Sequence, residues 1–173
     1  MLEDAKATGK LKLRPIHGDP KIDNIMLDKT TGKAVSIIDL DTVKPGLVHY
    51  DIGDCLRSGC NRLGEETKNW EEVSFDTEIA QFILQGYFSI AKQFLEDIDY
   101  KYIYEAIRLL ALELGLRFFT DFLQGNTYFK TEYPEHNRDR ALVQFKLTES
   151  IEKQETVIRQ IIEDWRIKAN AGL

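Results

Sequence analysis

The chain has 173 residues, of which 43% are hydrophobic and 30% charged, which is typical of a globular protein with one buried core. Its formal net charge of −6 offers no basic field, so we expect neither nucleic acid nor an anionic membrane as a partner. No apolar run approaches the roughly 20 residues of a membrane span, and the polar N-terminus is unlike a secretory signal. Cys55 and Cys60 fit neither a redox nor a zinc motif, so we predict free thiols and a cytoplasmic location.

Short strands and loops are predicted for residues 13–50. Residues 24–28 and 34–41 are apolar and β-branched, and the intervening KTTGK segment suits a hairpin turn at Gly32. Residues 44–46, Lys-Pro-Gly, are predicted to form a turn.

From about residue 51 onward the sequence is predicted to be helical. Asp51 is expected to cap the first helix, and a second, with a 3.6-residue apolar repeat, follows from Phe75. Residues 99–125 are apolar on nearly all sides, which predicts a helix buried in the centre of the domain. The last helix is predicted to run unbroken from Asn137, as its N-cap, to near Lys168. We therefore expect an α+β fold, mainly helical, with a small β-hairpin element beside a functional loop.

The loop in question has the sequence HGDPKIDN, from His17 to Asn24. An aspartate followed five residues later by an asparagine is a pattern of phosphoryl transfer, in which the aspartate accepts the proton of the attacking hydroxyl and the asparagine oxygen holds Mg²⁺. The protein-kinase catalytic loop, HRDxxxxN, has the same spacing. Asp19 and Asn24 match these two positions. A plain turn before the hairpin is the alternative.

A second group of oxygen ligands favours the catalytic alternative. The IIDLD segment places Asp39 at the end of the second hairpin strand, which we expect to return beside the loop. Mg²⁺ usually takes one or two carboxylates and leaves its other positions to phosphate and water. Asp39 is thus a predicted metal ligand, and Asp41 a predicted substrate contact. Lys21 is interpreted either as a group that neutralises the transferred phosphate or as a solvated surface lysine.

These motifs carry a family likeness. HGDPKIDN followed by IIDLDT resembles the aminoglycoside phosphotransferase and choline kinase superfamily, whose fold is protein-kinase-like. DLDTVKPGLVHYDIGDCLR and LRFFTDFLQGNTYFKTEYPEHNRDRA are similar to the sugar kinases of that superfamily, notably the N-acetylhexosamine 1-kinases. The resemblance implies ATP as phosphoryl donor, Mg²⁺ as cofactor, and an N-acetylhexosamine or related sugar as acceptor.

The resemblance also implies individual roles. Asp19 becomes the catalytic base, with Asn24 and Asp39 as Mg²⁺ ligands. Arg117 and Tyr128 become contacts to the sugar. The alternatives are that Arg117 pairs with its charged helix neighbours and that Tyr128 is an aromatic anchor. Structural roles are expected for two further residues, His17 in the loop and Asp51 as a helix cap that braces the loop.

The chain departs from that family at its start. Kinases of this fold carry an N-terminal lobe with a phosphate-covering loop and a lysine for the phosphates, whereas here only sixteen residues precede the catalytic loop. We therefore interpret residues 1–12 as a linker remnant from a missing N-terminal lobe and residues 13–173 as a kinase-like C-terminal catalytic lobe. Alone, this lobe is expected to be inactive and to self-associate as a homodimer. A non-catalytic kinase-like remnant, or a choline, aminoglycoside or homoserine kinase, remains an alternative.

Overall fold

The computed structural model describes residues 1–170, with six α-helices and four short strands in that range. The helices are α1 (Leu2–Ala7), α2 (Val48–Gly59), α3 (Thr77–Ala91), α4 (Asp97–Leu123), α5 (His136–Lys153) and α6 (Glu155–Asn170). The strands are β1 (Arg14–Ile16), β2 (Ile25–Leu27), β3 (Ala34–Ile37) and β4 (Lys44–Gly46). This mainly helical arrangement with small antiparallel sheets agrees with the predicted α+β class. None of the helices in the described range is both long and apolar enough to cross a membrane.

Helix α4 forms the centre of the helical body, and α2, α5 and α6 pack around it. The buried core joins side chains from five helices: Leu56, Leu84, Phe88, Ile103, Ile107, Leu147, Ile151 and Ile158. Gly53 lets α2 approach α4 closely, because a Cβ there would run into the backbone carbonyl of Ala106. The body is therefore held mainly by apolar burial.

The prediction that α4 is apolar and buried on nearly all sides is only half correct. Ile103, Ile107 and Phe118 are buried, but Leu116 on the opposite face is 51% exposed. That face is only partly covered, by a contact of Phe119 with Phe145 of α5, although its sequence is as apolar as the buried one. Hydrophobicity alone did not distinguish the two faces.

The prediction of one unbroken last helix is wrong, because the chain leaves the helix at Gln154 and forms α5 and α6. The Gln154 side chain donates from Nε2 to the backbone oxygen of Phe75 at 2.8 Å. This bond ties the break to the segment before α3. Asn137 is not an N-cap either: α5 begins at His136, and Asn137 is fully buried.

The strands form two separate antiparallel pairs. β2 pairs with β3 as the predicted hairpin, and Gly32 in its turn has a φ of 66°. β1 pairs with β4, so the predicted turn at residues 44–46 is wrong. The reason is a long-range pairing: Arg14 lies opposite Gly46, and no local pattern in the sequence encodes that partner.

Residues 1–12 contain a helix that packs on the body. Leu2, Ala5 and Leu11 form a small buried cluster with Leu47 and with Ala106 of α4. This segment therefore contributes apolar contacts of its own. Its interpretation as the remnant of a linker to another lobe stays a prediction.

Candidate active site

Asp19 and Asn24 meet in the loop between β1 and β2. Asn24 donates from Nδ2 to the Asp19 carboxylate (Oδ2) at 3.2 Å and to the Asp19 backbone oxygen at 2.9 Å. Asn24 is buried and Asp19 is half-buried. The spacing of five residues thus brings the predicted base and the predicted metal ligand into contact, as the sequence pattern required.

A carboxylate from α2 holds this loop in place. Asp51 accepts hydrogen bonds from the backbone N–H of His17 at 2.7 Å and of Gly18 at 2.9 Å. The expectation that Asp51 braces the loop is therefore correct, but it does not cap α2, which begins three residues earlier at Val48. Gly18 itself has a φ of 88°, and a Cβ there would clash with the backbone oxygen of Thr42.

His17 links the loop to the second hairpin strand. Its Nε2 lies 3.0 Å from the backbone oxygen of Ile38, and its backbone oxygen accepts from Oγ1 of Thr42 at 2.7 Å. Its Nδ1 accepts from the backbone N–H of Asp19 at 3.3 Å. His17 therefore connects the base to the end of β3, in keeping with the structural role predicted for it.

The predicted metal ligands Asn24 and Asp39 lie on adjacent segments. The backbone N–H of Ile38, next to Asp39, donates to the backbone oxygen of Asn24 at 2.9 Å. Asp39 adopts a left-handed conformation with a φ of 63° and is exposed. Because Asn24 turns its Nδ2 toward Asp19, its side-chain oxygen is left as an acceptor. The Asp39 carboxylate lies on the neighbouring segment, and amide and carboxylate oxygens are ligands that Mg²⁺ prefers.

This donor set is sparse. In residues 1–170 no group of three or more His, Cys, Asp or Glu side chains is arranged to hold a metal ion. One carboxylate and one amide oxygen fit the way Mg²⁺ is bound in phosphotransferases, where substrate phosphates and waters complete the shell. The residues present therefore fit Mg²⁺ brought in with a phosphorylated substrate.

Lys21 lies beside the base, with its Nζ 3.1 Å from Oδ2 of Asp19. Burial alone would lower the pKa of Lys21, but its hydrogen bond to the Asp19 carboxylate and the charges of Asp19, Glu65 and Asp39 outweigh burial and raise the pKa. Lys21 is therefore ion-paired with Asp19, although its side chain is 37% exposed, and its role at a transferred phosphate stays a prediction.

Asp19 and Lys21 line a cavity of about 550 Å³. Both predicted sugar contacts, Arg117 and Tyr128, also line it. This volume lies within the range of roughly 300–1,000 Å³ typical of small-molecule sites. Asp41 is exposed and does not line the cavity. The structure thus gathers four of the predicted site residues around one space. Their roles stay predictions.

Arg117 is placed by contacts with aromatic rings. Its guanidinium carbon lies 5.4 Å from the ring centre of Phe129 and 6.0 Å from that of Tyr128, within cation–π range. Its Nε lies 3.8 Å from Glu113, a loose pair on an exposed helix face. Of its two helix neighbours, only Glu113 pairs with it, because the other, Asp121, is engaged elsewhere.

Asp121 organises the loop that carries Tyr128, and sequence reasoning missed this role. Its carboxylate accepts from the backbone N–H groups of Thr127 (2.9 Å), Tyr128 (2.8 Å) and Phe129 (2.9 Å), and from Nδ2 of Asn137 at 2.8 Å. Burial alone would raise the pKa of Asp121, but the donated N–H groups hold it below its ordinary value. Its backbone partners lie six to eight residues away in an irregular loop, and Asn137 lies sixteen residues away on α5. No sequence period encodes these contacts.

A buried arginine, Arg57, was also missed. Its Nε donates to Oδ1 of Asp54 at 2.8 Å, and its Nη1 to Oε2 of Glu65 at 3.0 Å. Burial alone would lower the pKa of Arg57, but attraction to the carboxylates of Asp54 and Glu65 outweighs burial and raises the pKa. The i, i+3 spacing of Asp54 and Arg57 was a visible signal, but only the fold brings in Glu65.

Both cysteines are free thiols, as predicted. Burial raises the pKa of the Cys55 thiol to about 11. Neither cysteine lines the cavity at Asp19.

Residues 1–86 match the model of the phosphotransferase enzyme family, APH. The match spans the catalytic loop, the hairpin and α2, and therefore includes Asp19, Asn24, Asp39 and Asp51. It supports the aminoglycoside phosphotransferase and choline kinase-like superfamily and, by family, a kinase. Enzymes of this family generally use ATP and Mg²⁺. Arg117 and Tyr128 lie outside the matched residues.

Proposed function

We propose that this chain is the catalytic lobe of an ATP- and Mg²⁺-dependent phosphotransferase of the cytoplasm, and that its acceptor is a hydroxyl of a sugar or amino sugar, with an N-acetylhexosamine as the leading candidate. The observation that carries the proposal is the position of Asp19. It touches Asn24 on one side and opens on the other into the cavity with Arg117 and Tyr128. A base between a metal-ligand residue and an acceptor cavity is the arrangement that phosphoryl transfer to a hydroxyl requires.

Each residue then has a task. Asp19 accepts the proton of the acceptor hydroxyl, and the Lys21 ammonium at 3.1 Å stabilises negative charge beside it. Asn24 and Asp39 would hold Mg²⁺, which when bound neutralises the phosphates of the donor. Asp51 keeps the loop in the geometry in which Asp19 faces the cavity.

The charges around the cavity favour a neutral acceptor over a cationic one. The lining cations are Lys21, Arg57, Arg117, Lys130 and Arg140, and the lining carboxylates are Asp19, Asp54, Glu65 and Glu113. Most of these carboxylates already have a cationic partner in the wall, such as Arg57 for Asp54 and Glu65. A choline or aminoglycoside acceptor would need surplus negative charge. The rings of Tyr128 and Phe129 instead offer apolar faces that suit the C–H face of a sugar.

The proposal includes the expectation that turnover needs nucleotide-binding elements that residues 1–16 do not provide. Residues 1–16 form one short helix and one strand, and provide neither a glycine-rich loop nor a lysine in an apolar strand. The hairpin beside the site and the segments that flank it also present apolar side chains to solvent: Ile22, Met26, Leu27, Val35, Ile37, Ile38, Leu40 and Val43. A surface of this kind is usually covered by another folded unit.

The test uses a chimaera in which the nucleotide lobe of a related phosphotransferase precedes residue 1. Asp19→Asn should lower sugar-dependent ATP turnover by about 10²–10⁴-fold, the usual contribution of a general base. The melting temperature should stay nearly unchanged. Asp23→Asn, in the same loop but exposed, is the matched control and should keep its turnover. Turnover of Asp19→Asn within a few-fold of the parent would assign the base elsewhere.

The exposed hairpin also favours a second candidate, a non-catalytic remnant that uses this face for assembly. In that case the isolated chain would form a two-fold dimer through the hairpin, and the chimaera would turn over no sugar. Light scattering and calorimetric titration with Mg·ATP separate the candidates. A monomer that binds ATP at micromolar affinity would contradict both the remnant and the need for another lobe.

A further inference from the structure

The exposed face of α4 carries apolar side chains in a seven-residue repeat. Steps of three and four residues alternate along its C-terminal half, at Leu109, Leu112, Leu116, Phe119 and Leu123. Leu112 is half-buried, and the other four are exposed by 39–68%. Alternating steps of three and four mark the a and d positions of a coiled coil, whose apolar seam packs against a second helix. We call these five residues the α4 seam.

The body of the molecule fixes α4 but covers the seam only in part. Ile103 and Ile107 bury the opposite side of the helix in the core. At the seam itself, the ring of Phe119 lies 6.3 Å from that of Phe145 on α5, measured between ring centres, while Leu116 in the middle is 51% exposed. A partner would therefore meet a helix that is already formed, without the cost of helix nucleation.

The charges beside the seam are complementary to those of a second copy of this chain. With Leu109 and Leu116 at a positions, Arg108 is a g residue and Glu113 an e residue. In a parallel pair of helices, each g residue lies beside the e residue five places further along the partner helix, which is the step from Arg108 to Glu113. An antiparallel pair brings g to g and e to e, so this arginine and this glutamate would not meet.

Both flanking side chains can make these contacts. The Nε of Arg108 lies 3.3 Å from Glu152 of α5, and its side chain is 37% exposed. A guanidinium carries five N–H donors, enough for a second carboxylate. Glu113 is 50% exposed and only loosely paired, with Oε1 3.8 Å from Nε of Arg117. Exposed pairs of this kind add little affinity, but they select the partner and its orientation.

We propose that the α4 seam is the contact surface of a parallel, two-fold homodimer in which α4 of one copy packs along α4 of the other. The same surface meets itself in such a contact, so one seam serves both subunits. A seam of two heptads is smaller than a standard protein interface, and we expect a dissociation constant on the order of 10–100 µM. The inference goes beyond the proposed function and uses no residue of the hairpin.

The test is sedimentation equilibrium of the 173-residue chain over a range of about 5–500 µM. Leu116→Glu places a carboxylate in the middle of both seams and should weaken association by about a hundred-fold or more. The melting temperature of the monomer should stay nearly unchanged, because position 116 is 51% exposed. Phe82→Glu on α3, 65% exposed and outside the seam, is the matched control and should associate as the parent chain does.

A further variant separates the seam from the hairpin. Val35 of β3 is 63% exposed, and Val35→Glu should leave the dimer intact. A dimer that survives Leu116→Glu but dissociates with Val35→Glu would place the contact at the hairpin and overturn the inference. A chain that stays monomeric over the whole range would overturn it as well, while the proposed phosphotransferase would stand.

A cysteine at the end of the seam tests the orientation. Parallel helices bring the two copies of residue 123 together, whereas antiparallel helices hold them apart. Air oxidation of Leu123→Cys should therefore join its thiols in a disulfide-linked dimer, and the parent chain, with Cys55 half-buried and Cys60 buried, should give none. Adding Leu116→Glu should abolish the cross-link. A dimer that fails to cross-link at residue 123 would overturn the parallel packing.

Discussion

The hairpin that borders the site and the helical body are stabilised by different forces. In the body, side chains such as Ile107 and Leu147 are completely buried. In the hairpin, every residue from 31 to 40 is exposed, including apolar ones such as Val35 at 63%. The body therefore gains stability from the hydrophobic effect, whereas the hairpin gains little from it.

The site loops are held to the body mainly by carboxylates. Asp51 of α2 accepts two backbone N–H groups of the catalytic loop, and Asp121 of α4 accepts three from the loop of Tyr128. Both carboxylates project from helices of the body. A rigid helical scaffold can thus position loops through a few charge-assisted hydrogen bonds, where the burial of apolar side chains contributes little.

The largest expected difference in unfolding free energy comes from truncating one isoleucine to alanine in the helical body and one in the hairpin. Ile107→Ala should lower the free energy of unfolding by about 2–5 kcal/mol, because it leaves a cavity in the core. Ile37→Ala, at a position 42% exposed in β3, should change it by only about 0.5 kcal/mol. Urea unfolding followed by circular dichroism measures both. Equal losses would mean that the hairpin face is packed in solution, as in a dimer.

A smaller effect is expected from Asp51→Ala. Removing this acceptor leaves the N–H groups of His17 and Gly18 without their partner, at a cost of about 1–3 kcal/mol. Hydrogen exchange should accelerate at these two amides while the amides of α4 stay protected. Asp23→Ala, which is exposed in the same loop, is the control. Unchanged exchange at His17 and Gly18 would show that other contacts hold the catalytic loop.

The smallest effect concerns the pH dependence of stability. The folded pKa of Asp121 lies below its ordinary value, so the carboxylate stabilises the fold fully above its unfolded pKa of about 3.9. That stabilisation is lost as the pH falls through the lower folded pKa. Asp121→Asn removes the titrating group, so its stability should decline less steeply between pH 5 and pH 2 than that of the parent chain. Parallel declines in urea midpoint would contradict the assigned role of Asp121.

Much of the site could be predicted from the sequence, because its key residues are close together in the chain. The five-residue spacing of Asp19 and Asn24 produced the contact between them, and the hairpin turn at Gly32 brought Ile38 and Asp39 back beside Asn24. Local spacing and turn chemistry are short-range properties that a sequence displays directly.

Other features depend on residues that are far apart in the chain, so only the tertiary structure decides them. The pairing of β1 with β4, the break at Gln154 and the exposed second face of α4 each depend on which element packs nearby. The same holds for Asp121, whose polar partners are backbone groups of an irregular loop and the side chain of Asn137 on α5. The sequence by itself determined the contact between Asp19 and Asn24, the hairpin and the helical character of the body, since these follow from local patterns. The long-range contacts that hold and extend the site required the fold, because burial and hydrogen bonding between distant segments leave no periodic trace in the sequence.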